Sequence, residues 1–405
     1  LMMCLVIIMS IYAGLFVYPL LLELFFKKKT IEIKPKYFHK WKELFIDASL
    51  KREKLVFIVS IILVLGGIIS ASTLSTDQSF LNYFSDSTKV KKELTFIDKN
   101  MGGTTPLDII YDIPKSEQKT DLLITGMTVK KIKGLQEELE RNPYISGVTS
   151  FIDFLRVAKD VRDMPFTEYE LTALYNTLPE KTKNEILKQF FNSEEKSIRI
   201  SGRVIDSSPD LKRSELNKNI DSFLDKHQLK KEKVQKTNLF FIYENILRRL
   251  VDTQIISMIT VYLAMFLFLA SVFKSFKIAI ICLLPNIVST FCIFIFMAVF
   301  QIHLDIMTIT IASVVMGISV DDTVHYAHNF LSLSDENSER VKKVSRSLGN
   351  ALIFTSMVIA AGFAALAFSD FVPARIFGLL TAMGMLIALV VDLSLLPALL
   401  AKYKN

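Results

Sequence analysis

Seven long apolar blocks constrain this chain more than any other feature: Leu1–Phe26, Leu55–Leu74, Thr253–Phe273, Ile278–Phe300, Leu304–Tyr326, Ala351–Ser369 and Ile376–Ala401. Each is near or above the roughly 20 residues that cross a bilayer as a helix. Lipid offers no partner to a bare backbone N–H or C=O, so helices are the expected form. The prediction is an α-helical polytopic membrane protein of about seven transmembrane helices, interrupted once by a long polar segment.

Charge placement orients it. Lys and Arg outnumber Asp and Glu by 48 to 41, a net charge of +7. A nucleic-acid binder would gather that excess on one soluble face. Here it collects in Lys27–Lys54, at Lys274 and Lys277, in Arg340–Arg346, and at Lys402 and Lys404. The alternate connections are nearly bare: Gln301–His303 has no Lys or Arg, and Asp370–Arg375 has one. This is the positive-inside pattern. It predicts a transmembrane helix at 1–26, a cytoplasmic amphipathic linker at 27–54 and a second transmembrane helix at 55–74. An extracytoplasmic (periplasmic) domain at 75–250 follows. A five-helix bundle at 251–401, with a cytoplasmic loop at 331–350, leads to a cytoplasmic tail at 402–405. The implied location is the inner membrane.

Within the linker, Phe38, Trp41, Phe45 and Ala48 share one helical face opposite lysines. That spacing suits an interfacial helix anchored by Trp41, or equally a helix packed under the bundle. The chain begins inside an apolar block with no charged leader and no small-residue cleavage site, so a signal peptide is not expected and a preceding segment is. Cys4, Cys282 and Cys292 all fall in apolar blocks, which predicts small buried hydrophobes and no disulfide in the polar domain.

The polar segment mixes periods. "TPLDIIYDI" (Thr105–Ile113) alternates as a strand, and "KSIRISGRVID" (Lys196–Asp206) reads as another. "MTVKKIKGLQEELER" (Met127–Arg141) and "DLKRSELNKNIDSFLDKH" (Asp210–His227) have helical spacing, and "ISGVTSFIDFL" (Ile145–Leu155) is a short strand running into a helix. Thr167–Phe191 reads as an inserted helical pair. This order predicts an α+β domain of split βαβ (ferredoxin-like) type. Gly102 and Gly103 lack phosphate-loop spacing and read as a turn, and GxxxxGK[ST], HExxH and CxxC are all missing from the sequence. No catalytic constellation, cofactor or metal is expected, and the chain does not read as an enzyme. His227 reads as a surface residue.

The stretch "VMGISVDDTVHYAHNF" (Val315–Phe330) is the chemical anomaly, because it puts Asp321 and Asp322 side by side in an apolar block. Ionisable groups in a membrane are expensive and mark ion or proton paths. Thr310, Ser313, Gly317, Asp321, His325 and His328 form one helical stripe, and Asp322 and Tyr326 a second pair. Gly317 would let a neighbouring helix approach closely. Thr355 and Ser356 in the sixth block and the lone acid Asp392 in the seventh are candidate relay partners. Two adjacent carboxylates in low dielectric do not both ionise easily, so one can take a proton on one side and release it on the other. The histidines would relay protons or form their exit. Three alternatives stand beside this: a solvated helix end, a metal held by Asp321, His325 and His328 at a spacing that fits no strong motif, and sodium in place of protons.

The first block ends "VYPLLLELFFKKK" and the last "SLLPALLAKYKN", each with a proline, leucines and then lysines, as a duplicated transporter fold would. "GISVDDTVHYAHNF", together with "LGNALIFTSMVIAAGFAALAFSDFVPARIFGLLTAMGMLIALVVDLSLLPALL" (Leu348–Leu400), resembles the resistance-nodulation-division (RND) superfamily, and within it the MMPL-type exporters of hydrophobic compounds and lipids. The resemblance is close over the last hundred or so residues and elsewhere rests on layout. It implies twelve helices in two repeats, each with a porter-like domain, of which this chain would be the C-terminal half. It also implies proton-driven export of lipids or other hydrophobic molecules, with Asp321 and Asp322 as proton relay. The implied partners are the N-terminal half of the same transporter, the hydrophobic substrate, protons and membrane lipids, a homo-oligomer or periplasmic partner, and no nucleic acid. In the drug-efflux branch the acid pair sits in the first half; its place here favours the lipid branch. Two other readings remain: an accessory protein that uses proton flow to assist protein translocation, and a lipid- or sterol-sensing membrane protein.

Overall fold

The structure, a computed structural model, describes residues 2–25, 39–74, 79–119, 122–162, 167–185, 187–208, 210–229, 231–305 and 307–403. The chain divides into two units, Leu1–Leu44 and Phe45–Asn405.

In the first unit, α1 (Met2–Tyr12) and α2 (Tyr18–Phe25) are joined by a π-helical turn, Ala13–Val17. Pro19 has no N–H to bond the carbonyl four residues back, and a widened turn before it absorbs that loss. Leu5, Ile8, Met9, Leu15, Phe16 and Leu20 are all exposed. α3 (His39–Lys51) spans the division between the units. Of its predicted apolar face, Phe38 lies outside the described residues, as does the side chain of Trp41, while Phe45 and Ala48 are half-buried.

The second unit continues with α4 (Glu53–Thr73) and a polar α+β domain. The domain comprises α5 (Lys89–Asn100), β1 (Thr105–Asp112), α6 (Gly126–Glu140), β2 (Ile145–Thr149), α7 (Phe151–Arg162), α8 (Glu168–Thr177), α9 (Glu180–Glu185), β3 (Phe191–Asn192), β4 (Ser197–Val204), α10 (Arg213–Lys226) and β5 (Val234–Thr237). The sheet order is β2-β4-β1-β5, with β3 pairing β4, and every pairing is antiparallel. Thus β1-α6-β2 and β4-α10-β5 interlock, each crossing over a strand of the other, which is the split βαβ arrangement. Alternation drives it: Leu107, Ile109 and Tyr111 of β1 and Ile198 and Ile200 of β4 turn to one face. There they meet Ile132, Leu135 and Leu139 of α6 and Leu216, Ile220 and Leu224 of α10. Full burial of each such side chain contributes about 1.5–3 kcal/mol. The buried Tyr111 hydroxyl is pushed up in pKa by desolvation and by neighbouring Glu117, so it remains a donor.

Gly102 and Gly103 do form a turn, at φ +80 and +97. The turn brings Thr104 onto the buried carboxylate of Asp98, which accepts from its N–H and hydroxyl, both at 2.7 Å, and from the N–H groups of Asp206 and Ser207 at 3.1 and 2.6 Å. Beside it, Asp206 and Arg213 form an ion pair that is almost fully buried.

The remaining helices are α11 (Asn238–Phe273), α12 (Phe276–Val299), α13 (Thr308–Ser332), α14 (Asn337–Ala364) and α15 (Val372–Ala401). The expected division at residue 250 falls inside α11, which starts in the polar domain's core with Phe240 and Phe241 and runs on unbroken. The expected loop at 331–350 is mostly the first turns of α14, so the basic stretch Arg340–Arg346 is helical. Among the described residues, five helices are long and apolar enough to cross a membrane: α4, α11, α12, α14 with the short turn after it, and α15. Ile58, Ile62 and Leu65 of α4, and Ile256, Ile259 and Leu263 of α11, are exposed, which suits a lipid surround. The first and fifth apolar blocks are helical but fall outside this set. In α13 the acids and histidines interrupt the apolar run, and in the first block the apolar helix among the described residues is the shorter Ile8–Leu21.

Close helix contacts rest on glycines other than Gly317. A Cβ on Gly67 would meet the backbone oxygen of Phe291 in α12 at 2.5 Å, whereas one on Gly66 would meet nothing nearer than Ile295 Cδ1 at 3.4 Å. Gly67→Ala is therefore expected to cost about 1–3 kcal/mol through overpacking. The check is a lowered thermal midpoint in detergent, with Gly66→Ala close to wild type.

Candidate functional site

α13 is fixed at its start by Asp305. This buried carboxylate accepts from the N–H groups of Met307 and Thr308, at 2.9 and 2.7 Å, while the Thr308 hydroxyl accepts from the Asp305 N–H at 2.7 Å. Asp305 lies close enough to Tyr83 to act on its hydroxyl, and Tyr83 bonds Tyr243 of α11, whose ring lies under the Arg213 guanidinium. Burial, with the bond to Tyr243 next, drives the Tyr83 hydroxyl well above its ordinary pKa, so it stays neutral. The start of α13 thus sits beside the buried ion pair of the polar domain. Phe84 and Ser85 also touch the turn between α14 and α15, through Phe371 and the Asp370 carbonyl.

The two acids divide. From Thr308 to Asp322 is about 20 Å along the helix at 1.5 Å per residue, so Asp322 is well down a span of about 30 Å. Asp322 turns toward α14 and accepts from the buried Ser356 hydroxyl at 2.9 Å. Asp321 points the other way. Its side chain is 75% exposed, and its neighbour is His325, one turn on at 3.4 Å, itself 64% exposed. Thr310, Gly317 and His328 are exposed on that same side, and a Cβ on Gly317 would meet nothing within 4 Å. Of the predicted stripe, Ser313 accepts from Gln254 of α11 at 3.2 Å, while the other members turn outward and Gly317 packs against no helix among the described residues. A helix with polar residues on two faces does not reveal which one packs inward; here Val315, Ser319, Thr323, Tyr326 and Phe330 do.

The other expected partners sort accordingly. Tyr326 is fully buried but turns from Asp322 to α14, bonding Ser345 at 2.6 Å and the Val341 carbonyl at 3.4 Å. Thr355 is exposed and bonds back to the Ala351 carbonyl at 3.0 Å, so of the pair Thr355 and Ser356 only Ser356 reaches an acid. Asp392 is buried in α15 and accepts from the Thr323 hydroxyl at 3.0 Å. The Asn286 amide donates to that same hydroxyl at 3.3 Å and to the Cys282 carbonyl at 3.1 Å, and the Asn286 carbonyl accepts from Ser319. Thr323, Ser319 and Asn286 are the residues that sequence spacing missed. The available signal was Asn286 itself, an amide beside a proline in an apolar block.

Cys282 and Cys292 are free thiols buried in α12. Among the described residues, no three or more His, Cys, Asp or Glu side chains gather where they could hold a metal. His227 is a quarter or less exposed, wedged against Gly134 of α6 rather than open to solvent.

The model of the AcrB/AcrD/AcrF family matches residues 226–403, from the end of α10 through α15. A protein of Methanocaldococcus jannaschii named only as a membrane protein, MJ1562, is 23% identical over 367 residues, 85% of this chain and 89% of that protein. The matched stretch carries Asp321, Asp322, Ser356 and Asp392 on apolar helices, and over it the chain is similar to RND-type transporter membrane proteins.

Proposed function

We propose that this protein is an MMPL-type member of that group, located in the inner membrane, which uses the proton gradient to export lipids or other hydrophobic molecules. The observation that carries the reading is the position of Asp322, a carboxylate well inside an apolar bundle and held by one hydroxyl of the next helix. Such a group is costly within a membrane and marks an ion or proton pathway. The α+β domain would lie outside the cytoplasm as a porter-like domain and take substrate from the outer leaflet.

Asp321, His325 and His328 on the outward face support a partner reading. A carboxylate turned toward hydrocarbon is expensive, so the working assembly would cover this face with the other half of the transporter or with a second copy. Asp321 and Asp322 would then serve as relay from opposite sides of one helix.

Lipid analysis of the cell envelope tests the function. Cells with the wild-type protein are compared with cells carrying Asp321→Asn plus Asp322→Asn at equal expression. One lipid class is expected to shift between compartments. If no lipid moves and secreted proteins accumulate inside, the translocation-accessory reading replaces this one.

A further inference from the structure

Asp392 lies apart from the acid pair, on another helix, and poses its own problem. It is 2% exposed, and its Oδ2 has no hydrogen-bond partner among the described protein groups. The groups that act on its carboxyl are Asp322 from α13 and the Thr323 hydroxyl, and the Cys282 thiol of α12 also lies within its reach. None is a cation, and among the described residues no charged group of α4 or α14 acts on it. A buried carboxylate left without a counter-charge is strongly unfavourable.

The shorter contact of the Thr323 hydroxyl, 3.0 Å to Asp392 against 3.3 Å to the Ser319 carbonyl, extends a hydrogen-bond network to Asp392. The Asn286 amide donates to Thr323, and Thr323 donates to Asp392 Oδ1. The Asn286 carbonyl is already taken by Ser319. Of the side-chain oxygens in this network, Asp392 Oδ2 is the one buried with no hydrogen-bond partner among the described residues. A dehydrated alkali cation needs several oxygens to replace its water shell. One open oxygen suits a proton.

We propose that Asp392 Oδ2 is a proton-holding site in its own right, oriented by the Thr323 hydroxyl next to Asp322 on α13. The inference rests on the proton-coupled reading of α13 and adds to it a second site on α15. With Oδ2 protonated, Oδ1 is a carbonyl oxygen, the acceptor that the Thr323 hydroxyl requires.

Infrared spectroscopy of the full chain in lipid nanodiscs tests this, reading the carbonyl band of protonated carboxylic acids at neutral pH. The band is expected in wild type and in Asp322→Asn, and is expected to be lost in Asp392→Asn. Thr323→Val should keep the band but move it to higher wavenumber, because its carbonyl loses a hydrogen bond. Asp392→Glu should restore a band at a shifted position, which separates loss of the acid from loss of the fold. A band unchanged in Asp392→Asn overturns the proposal. So does a band that disappears when sodium replaces choline at constant pH and ionic strength, since the site would then take a cation. The readout needs no transport. If Asp322→Asn abolishes proton flux and no Asp392 band exists, only this inference fails. If the band is present and wild type moves no protons, the transport reading fails and the protonated Asp392 stands.

Discussion

Asp322→Asn is expected to lower coupled transport by about 10²-fold, the lower end of what a positioned proton-transfer group contributes. The chain should keep its fold. Asparagine has nearly the same shape, and its carbonyl can still accept from Ser356, which now bonds Oδ2 at 2.9 Å. Ser356→Ala should cost far less, about fivefold, as expected for one neutral hydrogen bond of roughly 1 kcal/mol. Tyr326 serves as the comparison. It is one helical turn from Asp322 but bonds α14 away from the acid, so Tyr326→Phe should leave coupling near wild type. Substrate-stimulated proton movement in proteoliposomes gives all three values. Equal losses for Asp322→Asn and Tyr326→Phe would mean that helix packing rather than proton transfer governs the rate.

The largest stability effect is expected at Arg213, far from the acids. Its guanidinium pairs with Asp206 in a site where both side chains are almost fully buried, and it lies 5.2 Å from the centre of the Tyr243 ring. Asp206 also accepts from Ser79 at 2.7 Å, so it cannot readily swing out to water. Arg213→Ala leaves that carboxylate buried and unpaired and should cost about 3–5 kcal/mol. Arg213→Met with Asp206→Asn removes both charges and should cost distinctly less than Arg213→Ala alone. Thermal unfolding of the full chain in detergent, followed by circular dichroism, orders the two. If the double variant is the less stable one, the loss is due to packing volume and not to the stranded charge.

The sequence was informative wherever one period governed a whole element. The alternation of Leu107, Ile109 and Tyr111 gave β1, and the spacing of Ile132, Leu135 and Leu139 gave α6, because each element buries one regular face. β5 is too short to show a period, and α5 buries only Asp98, so neither leaves a signal in the sequence. The start of α11 was also missed. The apolar test finds its membrane part, while residues 238–250 are helical because Phe240, Phe241 and Leu247 pack into other clusters.

In the candidate site, the Asp322–Ser356 contact was legible, since a hydroxyl breaking an apolar run needs a partner. The outward turn of Asp321 was not, because α13 is polar on two sides and only its neighbours decide which side is buried. Nor was the chain from Asn286 through Thr323 to Asp392 legible. It joins residues 37 and 69 positions apart, on three helices whose relative rotation is set by packing alone.

The role proposed for Asp322 is to move protons as the protein works. The measurement is proton flux into proteoliposomes holding wild type or Asp322→Asn, under an imposed pH gradient with sodium absent, in the presence of membrane lipid. Wild type is predicted to acidify the lumen and Asp322→Asn to leave it near the level of empty vesicles. Equal flux in the two, or flux in wild type only when sodium is added, would rule out that role for Asp322.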